Sequence, residues 1–276
     1  MGASDEGGQN DVELVNVAHV VDGHPADAIA LISRNQQISY GELRDQIDRM
    51  RGGLAGLGIG MGDRVALLCG NGHPFVIAYL AAVGLGAAVA PLNPASPAPE
   101  LQRELAVVAA QAVVVDRSAA AAWAGVDREA VPTVHTGVSV DGDAGHGAIP
   151  VEDLLAAEPR PAVDVAPDHL AALLFTSGTA GAPRAAMLTH GNLLANVEQS
   201  RSVTSRVAPG DVVYGVIPLY HIFGLNVVLT MSLANGATIV LVQRFDPATA
   251  LESIKAREVS VIPGAPAMWT AFAHFE

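Results

Sequence analysis

The strongest constraint on the fold is the alternation of short, uninterrupted apolar runs with longer helical patterns. Residues 65–69, 87–90 and 112–116 are built almost wholly from Val, Ala and Leu. They lack the polar alternation of a half-solvated strand, so each is expected to be buried on both faces, as in a parallel sheet. Between them, residues 73–83 and 100–109 have helical length, and the resulting spacing is that of βαβ units. Upstream, Ser39-Tyr40-Gly41-Glu42 carries the capping-box pattern, and Leu43, Ile47, Met50, Leu54 and Leu57 then recur at helical spacing until Gly58 and Gly60. Downstream, residues 170–175, 186–189, 212–216, 238–242 and 260–262 read as strands, and 191–202 and 247–257 as helices. The second of these helices places Ala250, Leu251 and Ile254 on one face. Residues 137–147, rich in Gly and Asp, read as a surface loop.

Composition removes several classes of function. The formal net charge of −13 over 276 residues repels a polyanion, so nucleic acid is not an expected partner. An anionic ligand would need local donors rather than a general basic field. Aromatics make up 4% of the chain, too few for a base-stacking surface. Cys69, the single cysteine, can form neither an internal disulfide nor a cysteine-based zinc site, and reads as a small core residue in a reducing, cytoplasmic setting. Residues 75–92 and 212–242 are uncharged, but the first is broken by Gly84, Gly86 and Pro91 and the second by Pro218, His221, Asn226 and Asn235. Both read as buried core elements, and no transmembrane segment is expected. Residues 1–20 are expected to be a disordered lead-in, since residues 1–13 are polar and lack the apolar region of a signal peptide.

The segment that carries chemistry is Leu174-Phe175-Thr176-Ser177-Gly178-Thr179-Ala180-Gly181-Ala182-Pro183-Arg184. Here an apolar strand runs into glycines, which let backbone N–H groups turn toward an anion. Hydroxyls add donors without bulk, and Arg184 adds a fixed positive charge. It is not a Walker loop, because no Lys-Ser/Thr pair follows the second glycine and Pro183 interrupts. A nucleophile elbow and a dinucleotide fingerprint are also absent. The histidines show no metal-ligand spacing, and the carboxylates form no evident acid–base pair.

These residues, followed by Thr189-His190-Gly191-Asn192, resemble the phosphate-loop motif T-S-G-T-T-G-x-P-K-G and T-H-x-N of the adenylate-forming superfamily. That superfamily includes acyl-CoA synthetases, luciferase and the adenylation domains of peptide synthetases. Further landmarks stand in order: Ile38-Ser39-Tyr40-Gly41-Glu42-Leu43, residues 84–94, Pro218-Leu219-Tyr220-His221-Ile222-Phe223-Gly224, and Val261-Ile262-Pro263-Gly264-Ala265-Pro266. Ala180, Arg184 and Ala185 depart from the usual Thr, Lys and Gly. The tyrosine-histidine segment is more similar to fatty and aryl acid ligases than to the peptide-synthetase branch.

The resemblance implies a chain that activates a carboxylic acid, expected to be a fatty acid, with ATP and Mg²⁺ and passes it to coenzyme A. Thr176, Ser177, Gly178, Thr179, Gly181 and Arg184 would hold the phosphates, and Thr179 would also help place the metal. His221 would stand at the mouth of the acyl pocket, beside walls from Tyr220, Ile222, Phe223 and Leu225, and His190 would start a helix. The implied fold is α/β: two interleaved, sandwich-like subdomains with mostly parallel sheets and helices on both faces. One would span residues 62–205, and the other residues 21–58 with 208–276. The adenine segment and the small C-terminal domain with its catalytic lysine would lie beyond residue 276. Lys255, the single lysine, does not match that position. On this reading residues 1–276 alone are not expected to form an acyl-adenylate, and the incomplete second subdomain could support a homodimer. Two alternatives stand: a ligase that feeds a carrier protein, and a non-catalytic interaction paralogue.

Overall fold

The computed structural model describes residues 15–34, 36–176, 183–202 and 207–275. Among these, the strands are β1 (Ile29–Ser33), β2 (Gln36–Ser39), β3 (Arg64–Leu68), β4 (Ala88–Pro91), β5 (Ala112–Val115), β6 (Thr136–Ser139), β7 (Ile149–Pro150), β8 (Leu170–Phe175), β9 (Ala185–Thr189), β10 (Val212–Gly215) and β11 (Thr238–Leu241). The helices are α1 (Tyr40–Gly56), α2 (His73–Gly84), α3 (Ala98–Val108), α4 (Ala120–Ala124), α5 (Val151–Leu155), α6 (His190–Arg201), α7 (Met231–Ala234), α8 (Pro247–Ala256) and α9 (Pro266–Ala273). A seven-stranded sheet runs β7-β6-β5-β3-β4-β8-β9, and a four-stranded sheet runs β10-β11-β1-β2. Both are parallel except at one edge, where β9 pairs antiparallel with β8 and β2 with β1.

The large sheet is covered on both faces, as its apolar strands require. Along β3, Val65 and Leu67 join one hydrophobic cluster while Ala66 and Leu68 join the other; along β5, Ala112 and Val114 alternate with Val113 and Val115 in the same way. Leu43, Ile47, Met50 and Leu54 of α1 and nearly all of α2 cover the first face. Leu101, Leu105 and Val108 of α3 and Trp123 of α4 cover the second. The first cluster also takes in Leu31, Val213 and Ile239 of the smaller sheet, so one core joins the two sheets. No helix among the described residues is long and apolar enough to cross a membrane; α2, nearly all of it buried, has 12 residues.

The capping box forms as written in the sequence: the Ser39 hydroxyl accepts from the Glu42 N–H, and the Glu42 carboxylate accepts from the Ser39 N–H at 2.8 Å. Other expectations are corrected. Residues 15–20 do not belong to a disordered lead-in. Val15 pairs with Val165, and Val17–Val21 is a buried 3-10 helix whose Asn16 side chain donates to the carbonyls of Val83 and Val163 at 3.0 and 2.6 Å. The apolar Val17, Val20 and Val21 override the polar character of what precedes them. Gly137 to Ser139 are not loop but strand, because Val138 and Ser139 are buried beside β5 and Gly137 leaves room for Ala148. Residues 260–262 make one bridge, Val213 to Val261, rather than a strand. Leu251 stands on the exposed side of α8.

Gly53 lets α5 approach α1, since a Cβ there would lie 2.6 Å from Leu154 Cβ. Alanine favours a helix by up to about 1 kcal/mol over glycine, but overpacking a tight contact costs about 1–3 kcal/mol. Denaturant unfolding of Gly53→Ala is therefore expected to show a net loss of about 1–2 kcal/mol. Gly56→Ala, with nothing within 4 Å of the added atom, should gain stability instead.

His190, fully buried at the first position of α6, accepts the Val17 N–H at Nδ1 (3.0 Å). Burial, then the neighbouring His169, pushes its pKa down to about 4. The unfolded imidazole takes up its proton first, near the ordinary 6.5. The contribution to stability is thus complete above pH 6.5 and lost as the pH falls toward about 4. At about 1.4 kcal/mol per pKa unit, the loss is at most about 3.5 kcal/mol. Glu104, raised to about 7 by burial and by Glu100, acts in the opposite sense over part of this range. The difference between wild type and His190→Gln isolates the histidine: the gap in unfolding free energy is expected to narrow as the pH is lowered from 7 to 4.5.

Candidate functional site

Strand β8 ends at Phe175 and β9 begins at Ala185, and these two residues are paired across an antiparallel hairpin. Thr176 and Arg184 therefore flank the base of the connecting loop, and both are exposed. This is a strand–loop–strand arrangement at the edge of the large sheet. A Walker loop leads instead into a helix, so the exclusion made from the sequence has a structural counterpart. Any anion held here would rely on loop donors and Arg184, without a helix dipole immediately behind the loop. Ser177, Gly178, Thr179 and Gly181 lie outside the described residues, and with them the expected metal contact of Thr179. Among the described residues, no cluster of three His, Cys, Asp or Glu side chains is placed to hold a metal.

After β9, Thr189 caps α6: its hydroxyl accepts from the Asn192 N–H at 3.1 Å, and the Asn192 side chain accepts from the Thr189 N–H at 3.1 Å. His190 is the first helical residue, as its motif position implies, and it also anchors the N-terminal segment through Val17.

The second group of site residues follows β10. Tyr220 is half-buried, and its ring lies 4.4 Å from that of His221 between centroids. His221, Ile222 and Phe223 are all exposed, Ile222 at 48% and Phe223 at 38%. Partial burial lowers the His221 pKa, which favours the neutral imidazole at pH 7. The chain then enters a π-helix, Phe223–Thr230, whose wider turn is confirmed by the Met231 N–H donating to the Asn226 carbonyl. π-Helical turns are uncommon and concentrate at functional sites. Only glycine fits at position 224, because a Cβ there would overlap the Pro218 carbonyl. The same carbonyl accepts from the His221 N–H at 3.1 Å, so the turn that presents the imidazole is tight.

Leu225, expected as a pocket wall, is instead fully buried in the core, one residue beyond the turn where the chain dives inward. Asn226 in the π-helix donates to the Leu193 carbonyl (3.3 Å) and the Asn196 side chain (3.0 Å) of α6. The element that follows His221 is thereby packed against the element that follows the glycine loop. Cys69 is buried, its thiol pKa raised by desolvation, which suits its reading as a core residue.

Sequence reading missed Asn71, in the turn between β3 and α2. Its buried amide donates to the carbonyls of Gly215 and Ile217 at 3.0 Å each and accepts the Leu219 N–H at 3.0 Å. The available signal was a polar residue between two glycines, directly after a strand buried on both faces.

The AMP-binding enzyme family matches residues 17–276. The chain is 33% identical to 4-coumarate–CoA ligase 3 of Oryza sativa subsp. japonica, over 84% of this chain and 42% of the relative. It is 32% identical to a feruloyl-CoA synthase of Amycolatopsis, over 86% and 45%. Among solved structures, a putative long-chain-fatty-acid CoA ligase of Rhodopseudomonas palustris superposes with a TM-score of 0.85 at 28% identity, covering 95% of this chain and 66% of that one. An anthranilate CoA ligase in complex with anthranoyl-AMP superposes at 0.87, and at 19% identity this likeness speaks for the fold alone. The chain spans less than half the length of the curated relatives it matches. The glycine-loop hairpin, the tyrosine-histidine turn and the match over nearly the whole chain agree: this chain belongs to the AMP-binding enzyme family and corresponds to the N-terminal portion of its acyl-CoA ligase members.

Proposed function

We propose that this chain supplies the phosphate and acid sites of an acid–thiol ligase whose substrate is an aryl or hydroxycinnamate-type acid. In this reading the acid carboxylate attacks the α-phosphorus of ATP and expels pyrophosphate, giving an acyl-adenylate. The thiolate of coenzyme A then takes the acyl group and releases AMP. The observation that carries the acid site is the run from Tyr220 to Phe223. It holds an imidazole whose pKa partial burial lowers, beside two apolar side chains exposed to solvent. Full burial of such a side chain is worth about 1.5–3 kcal/mol, and an apolar substrate group would recover the fraction still exposed.

The roles follow from the geometry and the resemblance. Arg184, at the base of the hairpin, presents a planar fork that can pair with two phosphate oxygens. Thr176 adds a hydroxyl at the opposite strand end. The loop residues Ser177, Gly178, Thr179 and Gly181 would supply the remaining donors, with Thr179 helping to place Mg²⁺, which would neutralise charge on the polyphosphate. His221 would hydrogen-bond the reacting carboxylate, while Ile222 and Phe223 face the acyl group and Tyr220 supports the imidazole. With a net charge of −13, these local donors carry the attraction for the nucleotide.

The aromatic preference rests on the relatives, named for 4-coumarate and ferulate, and on the exposed Phe223. A fatty acid is the second reading, favoured by the structural neighbour described as a putative long-chain-fatty-acid ligase. A cytoplasmic location remains part of the proposal, as does a homodimer.

Calorimetry with pyrophosphate is expected to show binding that Arg184→Ala weakens about tenfold, the equivalent of about 1.4 kcal/mol for a charge-assisted contact. Equal affinity in both proteins would remove Arg184 from the site. Ligand-observed NMR with 4-coumarate, benzoate, octanoate and palmitate should favour the aromatic acids, and Phe223→Ala should weaken them about 3- to 10-fold. Preference for octanoate or palmitate would instead select the fatty-acid reading.

A further inference from the structure

We propose that Asn71 is a positioning residue for His221: from the neighbouring sheet, its side-chain amide fixes the segment that delivers the imidazole to the acid site. The inference rests on the reading of His221 given above and extends it to a residue in a different part of the chain.

At Gly215, β10 ends, and residues 216–219 continue without a partner strand. Gly215, Val216, Ile217 and Leu219 are nevertheless buried, so their polar backbone atoms need partners from the protein. Asn71 supplies them for Ile217 and Leu219, from 146 and 148 residues away in sequence, and shares the Gly215 carbonyl with the Val242 N–H. Both Nδ2 protons are used, on the Gly215 and Ile217 carbonyls, and Oδ1 accepts the Leu219 N–H. The amide cannot be flipped, since that would set its oxygen against two carbonyls. Among the described residues, the Ile217 carbonyl and the Leu219 N–H have no other hydrogen-bond partner.

Asn71 is itself held on both sides. Gly70 donates its N–H to Asp116 at the end of β5 (2.7 Å), and Gly72 begins α2 as its cap. The amide therefore projects from a fixed turn of the large sheet onto the last residues before the site. From Leu219 the path to the imidazole is short. The Pro218 carbonyl accepts the His221 N–H, and the His221 carbonyl accepts the Leu225 N–H at 2.8 Å, which leads the chain into the helix that follows. Asn71 thus sets the starting point of a turn that has little freedom of its own.

The test follows the His221 imidazole by ¹H–¹³C NMR in the 276-residue chain, its resonance assigned by its loss in His221→Gln. Asn71→Ala removes the whole clasp, whereas Asn71→Asp keeps an acceptor for Leu219 and removes both donors. Either variant that retains a cooperative unfolding transition is expected to move the His221 titration midpoint up toward the ordinary imidazole value, as the turn loosens and the partly buried ring loses its remaining cover. The His190 midpoint, set in another part of the core, should stay in place. A folded variant with the wild-type His221 midpoint would overturn the proposal. Loss of cooperative folding in both variants would also overturn it, by making Asn71 a fold element only. Because the readout is the imidazole and not turnover, failure here leaves the acid-activation reading standing.

Discussion

Burial of the large sheet on both faces is the constraint on which the rest of the structure depends. Strands whose alternate residues enter two different hydrophobic clusters leave no face of the sheet for polar chemistry. Polar groups are therefore confined to strand ends and connections, and it is there that the glycine-loop hairpin, the Asn71 turn and the His221 turn stand. The antiparallel β9 at one edge matters for the same reason. Because Phe175 pairs with Ala185, Thr176 and Arg184 stand at adjacent strand ends, and the chain resumes after the loop as a strand, not a helix. A Walker loop runs from a strand into a helix, whereas here the residues on either side of the loop are paired strands.

Much of this was legible in the sequence, for physical reasons that can be named. Strands β3, β4 and β5 are apolar on both faces, and no other element accommodates four or five such residues so well. The α1 capping box and its apolar spacing are local signals, and they are realised locally. The glycine loop stood out because its small and hydroxyl-bearing residues follow an order that resembles the family motif. The histidine at 221 was legible only through its motif, since a single imidazole in an apolar stretch is otherwise indistinguishable from a core histidine.

What was not legible depends on contacts between distant residues. Residues 15–20 looked like the end of a polar lead-in, yet Val17 and Val20 are buried, tied down by the carbonyls of Val83 and Val163 that accept from Asn16 and by His190, which accepts the Val17 N–H. Leu225 was placed on the pocket wall by proximity to His221, but the tight turn at Gly224 sends it into the core. Asn71 gave almost no signal, because its partners are two carbonyls 144 and 146 residues away and an N–H 148 residues away. The π-helix after Phe223 is equally a product of packing, with Asn226 drawn toward α6.

In the proposed function, the hairpin base and the tyrosine-histidine turn form one site for an activated acid. The most direct measurement is backbone NMR of the isotope-labelled chain with a non-hydrolysable acyl-sulfamoyl adenosine carrying a 4-coumaroyl group. The account predicts that the largest shifts fall at Thr176, Arg184 and the run Tyr220 to Phe223, and that they saturate together with a single affinity. Shifts that saturate separately in the two segments, or that fall elsewhere on the sheet, would contradict it.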